Sequence, residues 1–222
     1  MRSSLPSLVV AATRAPTETA PQVKLYDFNF APNPTRVRVY LAEKGIAVEI
    51  VPVDLTKGAQ RSAEFLRMNP RAGVPLLELD DGTLLPESLA IMEYLEELHP
   101  EPPMIGRTPL ERAFVRVAER RAETILHSIG RLFHATHAVI PGRKVNPAVA
   151  ENERPLAGAL LTALDREIGT RPFVAGERPT IADCTLFAAL RFAGLGQLEI
   201  PGERPNIERW LTTFLTRPSA NA

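Results

Sequence analysis

Cysteine occurs once in the 222 residues, at Cys184, so no intramolecular disulfide framework can form and an ordinary apolar core must hold the fold. That thiol sits in an apolar run with Leu186, Phe187 and Leu190, the pattern expected of a reducing compartment and a cytoplasmic protein. Neither charge is in excess: 26 Lys plus Arg stand against 26 Asp plus Glu. With no overall field to gather nucleic acid or an anionic membrane surface, the partner is expected to be a small molecule, with no nucleic acid and no membrane. No apolar stretch approaches the roughly 18 residues that a membrane span requires.

The length suits one large or two small domains, and the order of elements favours two. Residues 1–22 are rich in Ser, Thr, Ala and Pro, with Arg2 and Arg14 as basic residues and Glu18 as the one acid. They read as a disordered N-terminal extension, with a targeting peptide as the alternative. From there Val23–Asp27 reads as a strand and Pro34–Lys44 as a helix, capped by Asn33 and stopped at Gly45. Ala47–Val53 reads as a second strand and Ala59–Met68 as a short helix. Leu76–Leu79 and Thr83–Leu85 flank Asp80-Asp81-Gly82 as a hairpin. A helix over Glu87–Leu98 follows, with Leu89, Ile91, Met92, Leu95 and Leu98 at helical spacing.

Pro100, Pro102 and Pro103 then break the chain. We expect one domain over residues 23–99, a linker over 100–107 and a second domain over 108–218. Beyond the prolines only helices are predicted, over Leu110–Ala138, Ala148–Ile168, Ile181–Ala193 and Asn206–Leu215. The order β-α-β-α-β-β-α followed by helices alone gives an α/β N-terminal domain plus an all-α C-terminal domain.

Three short segments carry chemistry. In Asn69-Pro70-Arg71-Ala72-Gly73-Val74-Pro75, a cis bond before Pro75 would turn the Val74 amide and carbonyl outward, where an extended peptide can pair with them. A trans proline at a strand edge is the other reading. Glu87-Ser88 lies where a strand gives way to a helix, so the Ser88 amide and hydroxyl sit at the positive end of that helix and suit a carboxylate. Glu87 beside it suits an ammonium, whereas plain helix capping needs neither ligand. Thr180-Ile181-Ala182-Asp183 is a capping box with a structural role.

Taken together, Asn33-Pro34-Thr35-Arg36-Val37-Arg38, Leu41-Ala42-Glu43-Lys44-Gly45, Glu64-Phe65-Leu66 with Asn69-Pro70, Val74-Pro75, Glu87-Ser88 with Ala90-Ile91, and Phe173, Ala175-Gly176 with Thr180 and Asp183 resemble the cytosolic glutathione transferases from about Val23 to Pro218. The resemblance implies a thioredoxin-like N-terminal domain, a helical C-terminal domain, a homodimer, and glutathione as co-substrate in detoxification of small electrophiles. It also implies that Val74, followed by Pro75, pairs with the cysteinyl backbone, that Glu87 and Ser88 hold the γ-glutamyl end, and that Gln60 and Arg61 reach the glycyl carboxylate. For Arg61 a solvated helix face is the competing reading.

A free thiol ionises near 8.5, so such an enzyme must stabilise the thiolate. Family members often place Tyr, Ser or Cys after the first strand, whereas this chain has Phe28-Asn29-Phe30-Ala31-Pro32-Asn33-Pro34-Thr35. The candidates are Asn33 as an amide donor and Thr35 as a hydroxyl donor, helped by the free amides of Thr35 and Arg36 at the helix start. Tyr26 reads as core. His127, His134 and His137, with Ser128, form a second candidate group, one of which could hold a water that takes the thiol proton. Their spacing does not suit a metal, and none is expected. Arg112, Arg116 and Arg120 read as a solvated or subunit-facing stripe. Conjugation is the expected reaction. Glutathione-dependent disulfide or peroxide reduction, and a non-catalytic binding module, are the alternatives.

Overall fold

The computed structural model describes residues 23–222, and the expected extension over residues 1–22 lies outside them. Four short strands, β1 (Lys24–Asp27), β2 (Glu49–Pro52), β3 (Leu76–Glu78) and β4 (Leu84–Pro86), form one sheet in the order β2-β1-β3-β4. β1 runs parallel to β2 and antiparallel to β3, which is antiparallel to β4. A parallel pair needs a crossover, and α1 (Pro32–Lys44) supplies it. With α2 (Ala63–Met68) and α3 (Ser88–Leu98), this is the thioredoxin-like half of the molecule. The helical half comprises α4 (Pro109–Thr136), α5 (Pro147–Ile168), α6 (Ile181–Leu195) and α7 (Pro205–Phe214). Among the described residues no helix is long and apolar enough to cross a membrane.

Local chemistry explains where the elements stop. At the end of α1, Gly45 has φ 66°, and its N–H reaches back to Ala42 while that of Ile46 reaches Leu41. Only a residue without Cβ adopts that conformation at little cost. The expected short helix over Ala59–Met68 is broken in two: single 3-10 turns cover Leu55–Lys57 and Ala59–Arg61, and α2 begins only after Ser62, whose hydroxyl caps the Phe65 amide. Gly58 at φ 75° and the Ser62 cap each offer the backbone an alternative to a continuous helix.

The core runs through both halves. Val37, Tyr40 and Leu41 of α1 meet Ile91, Met92 and Leu95 of α3 on one side and α6 on the other. Each such side chain contributes about 1.5–3 kcal/mol by leaving water. The segment between α3 and α4 is tied down rather than free: Met104 and Ile105 are buried and donate their amides to Glu96, which also receives the Tyr40 hydroxyl and the Lys44 ammonium. The rigid seating of α1 against α3 and α6 places the mouth of the sheet beside the first helix of the C-terminal half.

Candidate functional site

Two hollows flank the start of α1. The first, about 80 Å³, is lined by Asn69, Arg71, Gly73, Val74, Pro75, Pro86, Glu87 and Ser88. The Val74–Pro75 bond is cis, as one of the two expected readings required. Asn69, buried, organises the loop before it: its side chain donates to the Gly73 carbonyl at 2.8 Å and accepts the Arg71 amide at 3.1 Å. The sequence sets Asn69 at the head of this segment without giving its side chain a role. Paired residues in β3 begin at Leu76, so Val74 lies beyond the last rung of the ladder.

Glu87 has φ 72°, uncommon outside glycine. Strain of this kind costs on the order of 1–3 kcal/mol and gathers at ligand-binding positions. Its side chain is exposed, makes no capping bond, and lies 3.6 Å from the guanidinium of Arg71. Ser88 is the first residue of α3, and is buried. Its Oγ accepts the Nε–H of Arg36 at 2.8 Å and approaches Oδ1 of Asn33 at 3.5 Å. The amides of Ser88, Leu89 and Ala90 precede the first intrahelical bond, from Ile91 to Glu87, so the first turn has unused donors for an anion.

The second hollow, about 290 Å³, is lined mainly by apolar groups: Phe28, Phe30, Ala31 and Pro32 before and at the start of α1, Leu55 and Thr56, Phe133 and His134 of α4, Val139 and Ile140, and Phe192, Leu195 and Gly196 at the end of α6. Phe133 packs 4.5 Å from Phe192 and stacks on His137 at 4.6 Å. Asn33 follows Pro32 of this wall and accepts from Ser88 of the other hollow, while lining neither itself.

Several expectations change here. Asn33 is not the cap of α1; the cap is Ala31, and Asn33 is the second helical residue. Thr35 is buried, its amide and hydroxyl both donate to the Ala31 carbonyl, and its Oγ also accepts from Arg38 and Arg191. A hydroxyl so engaged is no free donor. The amides of Thr35 and Arg36 are not free either, because the Thr35 amide already closes the first turn. Pro32 and Pro34 remove two further donors, leaving the Asn33 amide as the N–H of that turn with no helical carbonyl before it. Gln60 is buried with Oε1 unpartnered, and Arg61 donates to the Pro141 carbonyl at 3.1 Å. Neither lines either hollow.

The histidines separate. His127 is exposed, and Ser128 is buried with its hydroxyl given to Glu153 at 2.7 Å. His137 ends α4 and contacts the Thr136 hydroxyl. His134 alone lines the apolar hollow; its Nδ1 is buried without a partner, and burial, with help from nearby Arg143, pushes its ionisation down to about 4. It is therefore neutral at physiological pH, able to accept a hydrogen bond from water but reluctant to hold a proton. Tyr26 donates to Glu78 at 2.7 Å, and burial pushes its hydroxyl up to about 12, the wrong direction for a thiol activator. Arg112, Arg116 and Arg120 pair with Glu97, Glu93 and Glu123. Among the described residues no group of three or more His, Cys, Asp or Glu is placed to hold a metal.

Residues 21–97 match the model of the glutathione S-transferase N-terminal domain, and residues 127–218 that of the glutathione S-transferase C-terminal domain. The chain is 37% identical over 204 residues to glutathione S-transferase 2 of Saccharomyces cerevisiae, covering 88% of this chain and 86% of that protein. It is 32% identical over 182 residues to a maleylacetoacetate isomerase of Pseudomonas aeruginosa, covering 77% and 82%. The crystal structure of a glutathione S-transferase domain-containing protein of Marinobacter aquaeolei VT8 superposes with a TM-score of 0.83 at 37% identity, over 89% of this chain and 99% of that one.

Proposed function

This chain belongs to the glutathione transferase family, and from that premise we propose that it binds glutathione and transfers its thiolate to small apolar electrophiles, a role in detoxification. The observation that carries the reading is a pair of hollows: one formed by Val74, Pro75, Glu87 and Ser88, suited to a zwitterionic head group, and one aromatic, walled by Pro32, the residue before Asn33. Glutathione would lie along the Val74 edge with its γ-glutamyl carboxylate on the first turn of α3 and its ammonium toward Glu87.

Magnitudes favour Asn33 as the thiolate donor. Lowering a thiol from 8.5 by two units takes about 2.7 kcal/mol. The positive end of α1 supplies about 0.3–1 kcal/mol at a partly exposed position. A hydrogen bond to a charged group adds about 1.5–3 kcal/mol, which closes the gap. With Oδ1 turned to Ser88, the two Nδ2 hydrogens of Asn33 are available. His134, neutral and across the hollow, would hold the water that removes the thiol proton. The buried Cys184 is pushed well above the ordinary thiol range by burial and cannot serve as a relay in sulfur exchange. That favours conjugation over disulfide reduction.

We also propose a homodimer through α4, where Leu110, Phe114 and Val117 are exposed at helical spacing beside the paired arginines.

The deciding experiment pairs calorimetric binding of glutathione with turnover of a chloronitrobenzene and of a small disulfide. Binding with faster aryl substitution is expected. Ser88→Ala should weaken binding by about 1–3 kcal/mol through loss of a charge-assisted bond. No measurable binding by the parent protein would sink the reading; binding without turnover on either substrate would leave a non-catalytic module in its place.

A further inference from the structure

Behind the head-group cradle lies a buried cluster of charges that the proposed reaction does not use. Arg36 of α1, 4% exposed, spends its guanidinium on three elements at once. Nε–H goes to Ser88 of α3 at 2.8 Å. Nη1 goes to Glu119 of α4 at 3.0 Å, with Thr185 of α6 at 3.5 Å, and Nη2 goes to Glu123 at 3.2 Å. Glu119 is 2% exposed. Its Oε1 accepts from Arg36 and from the Thr185 hydroxyl at 3.1 Å, while Oε2 is buried with no partner. An uncompensated carboxylate oxygen in such surroundings is costly unless it carries a proton.

We propose that Glu119 is a positioning residue for the head-group site, acting from the helical half through Arg36 on the Ser88 hydroxyl. Arg36 donates to Ser88 Oγ, and the Ser88 hydrogen points to Asn33 Oδ1 at 3.5 Å, a long contact that a ligand carboxylate can take over. The charge behind that hydroxyl depends on Glu119. With Oε2 protonated, Arg36 is balanced by Glu123 alone. With Oε2 ionised, two carboxylates face one guanidinium and an arriving anion meets a more negative background. The groups facing Glu119 are Arg36 from α1, Glu93 from α3, Glu123 from its own helix, and Thr185 and the buried Cys184 from α6; Glu93 and Glu123 are further tied to Arg116 and Arg120. Burial raises the Glu119 carboxyl to about 7 against the opposing pull of Arg36 and Thr185. Anion binding and proton uptake at Glu119 are thus linked, each favouring the other.

This inference rests on the glutathione reading and is tested with S-hexylglutathione, whose blocked thiol removes sulfur ionisation from the measurement. Affinity in the parent protein should fall by roughly fivefold between pH 6 and pH 8, at the low end of couplings between sites. E119Q should be flat across that range, near the parent's pH 6 affinity. T185V, which removes a donor to the ionised form, should move the fall to higher pH, and it decides the matter if E119Q does not fold. N-Acetyl-S-hexylcysteinylglycine, which lacks the γ-glutamyl group and has no free amine to titrate in this range, should show no slope in any variant. A flat parent profile, a slope that survives in E119Q, or an equal slope with the truncated ligand would overturn the inference while leaving glutathione binding intact. A parent protein that binds neither ligand removes the glutathione reading and this inference with it.

Discussion

Asn33 is where one residue changed meaning between sequence and structure. As a cap its side chain would have been committed to the α1 backbone; as the second residue of the helix it is free to meet Ser88. Asn33→Ala is therefore expected to lower kcat/KM by about 10- to 100-fold, the loss of one hydrogen bond to a charged atom, with glutathione affinity changed much less. Stopped-flow thiolate absorbance checks it, and an unchanged thiol ionisation would count against Asn33. His134 and Glu119 make opposite demands on pH. Burial lowers His134, so the stability it contributes is complete above its unfolded value near 6.5 and is lost as pH falls toward 4. Glu119 is raised, so its contribution is complete below about 4.5 and is lost as pH rises through about 7. Thermal melts should show His134→Gln losing less stability than the parent from pH 6.5 to 4.5.

At the scale of single elements, the start of α6 does more than the capping box alone predicts. Asp183, fully buried, accepts the Thr180 amide and hydroxyl, the Val174 amide at 2.9 Å and the Trp210 indole N–H at 2.8 Å. It therefore joins α6 to α7 and to the loop before it. Thr180→Ala should cost about 1 kcal/mol, the ordinary worth of a cap. Asp183→Ala should cost about 3–5 kcal/mol, because several buried donors lose their acceptor together. Urea denaturation distinguishes the two, and equal losses would mean that only the cap matters. α1 teaches the complementary point. Its first turn holds Pro32 and Pro34, which suit a helix start but remove amides that an anion would use, so side chains must replace them.

For the molecule as a whole, assembly follows from what the helical half leaves uncovered. Phe114 is 62% exposed and Leu110 66% exposed on α4, more apolar surface than isolated side chains usually present together. Light scattering should report a dimer for the parent chain and a monomer, or a strongly concentration-dependent mixture, for Phe114→Glu. A parent chain that is monomeric at all concentrations would end the dimer proposal. The family and the two-part architecture expected from motif order agree with the matched domains and with the sheet and helices described. Strand and helix periodicity, Gly45 as a stop and the Thr180–Asp183 box were legible because each is set by residues within a turn or two of one another. The surroundings of Arg61 and Thr35 could not be read in the sequence because their partners come from other elements: Thr35 receives Arg191 of α6, and Arg61 reaches the loop after α4.

The amino-acid order by itself settled the succession of strands and helices, apart from the break at Ser62, and the short segments around Val74 and Ser88, since these depend on local backbone preference and on residues close in the chain. Tertiary structure alone decided that His134 rather than His127 or His137 faces the apolar hollow, that Asn33 meets Ser88, and that Arg36 gathers Ser88, Glu119, Glu123 and Thr185. Those choices turn on how α1, α4 and α6 are rotated against one another. That rotation is set by packing over the whole core, and no short stretch of sequence encodes it.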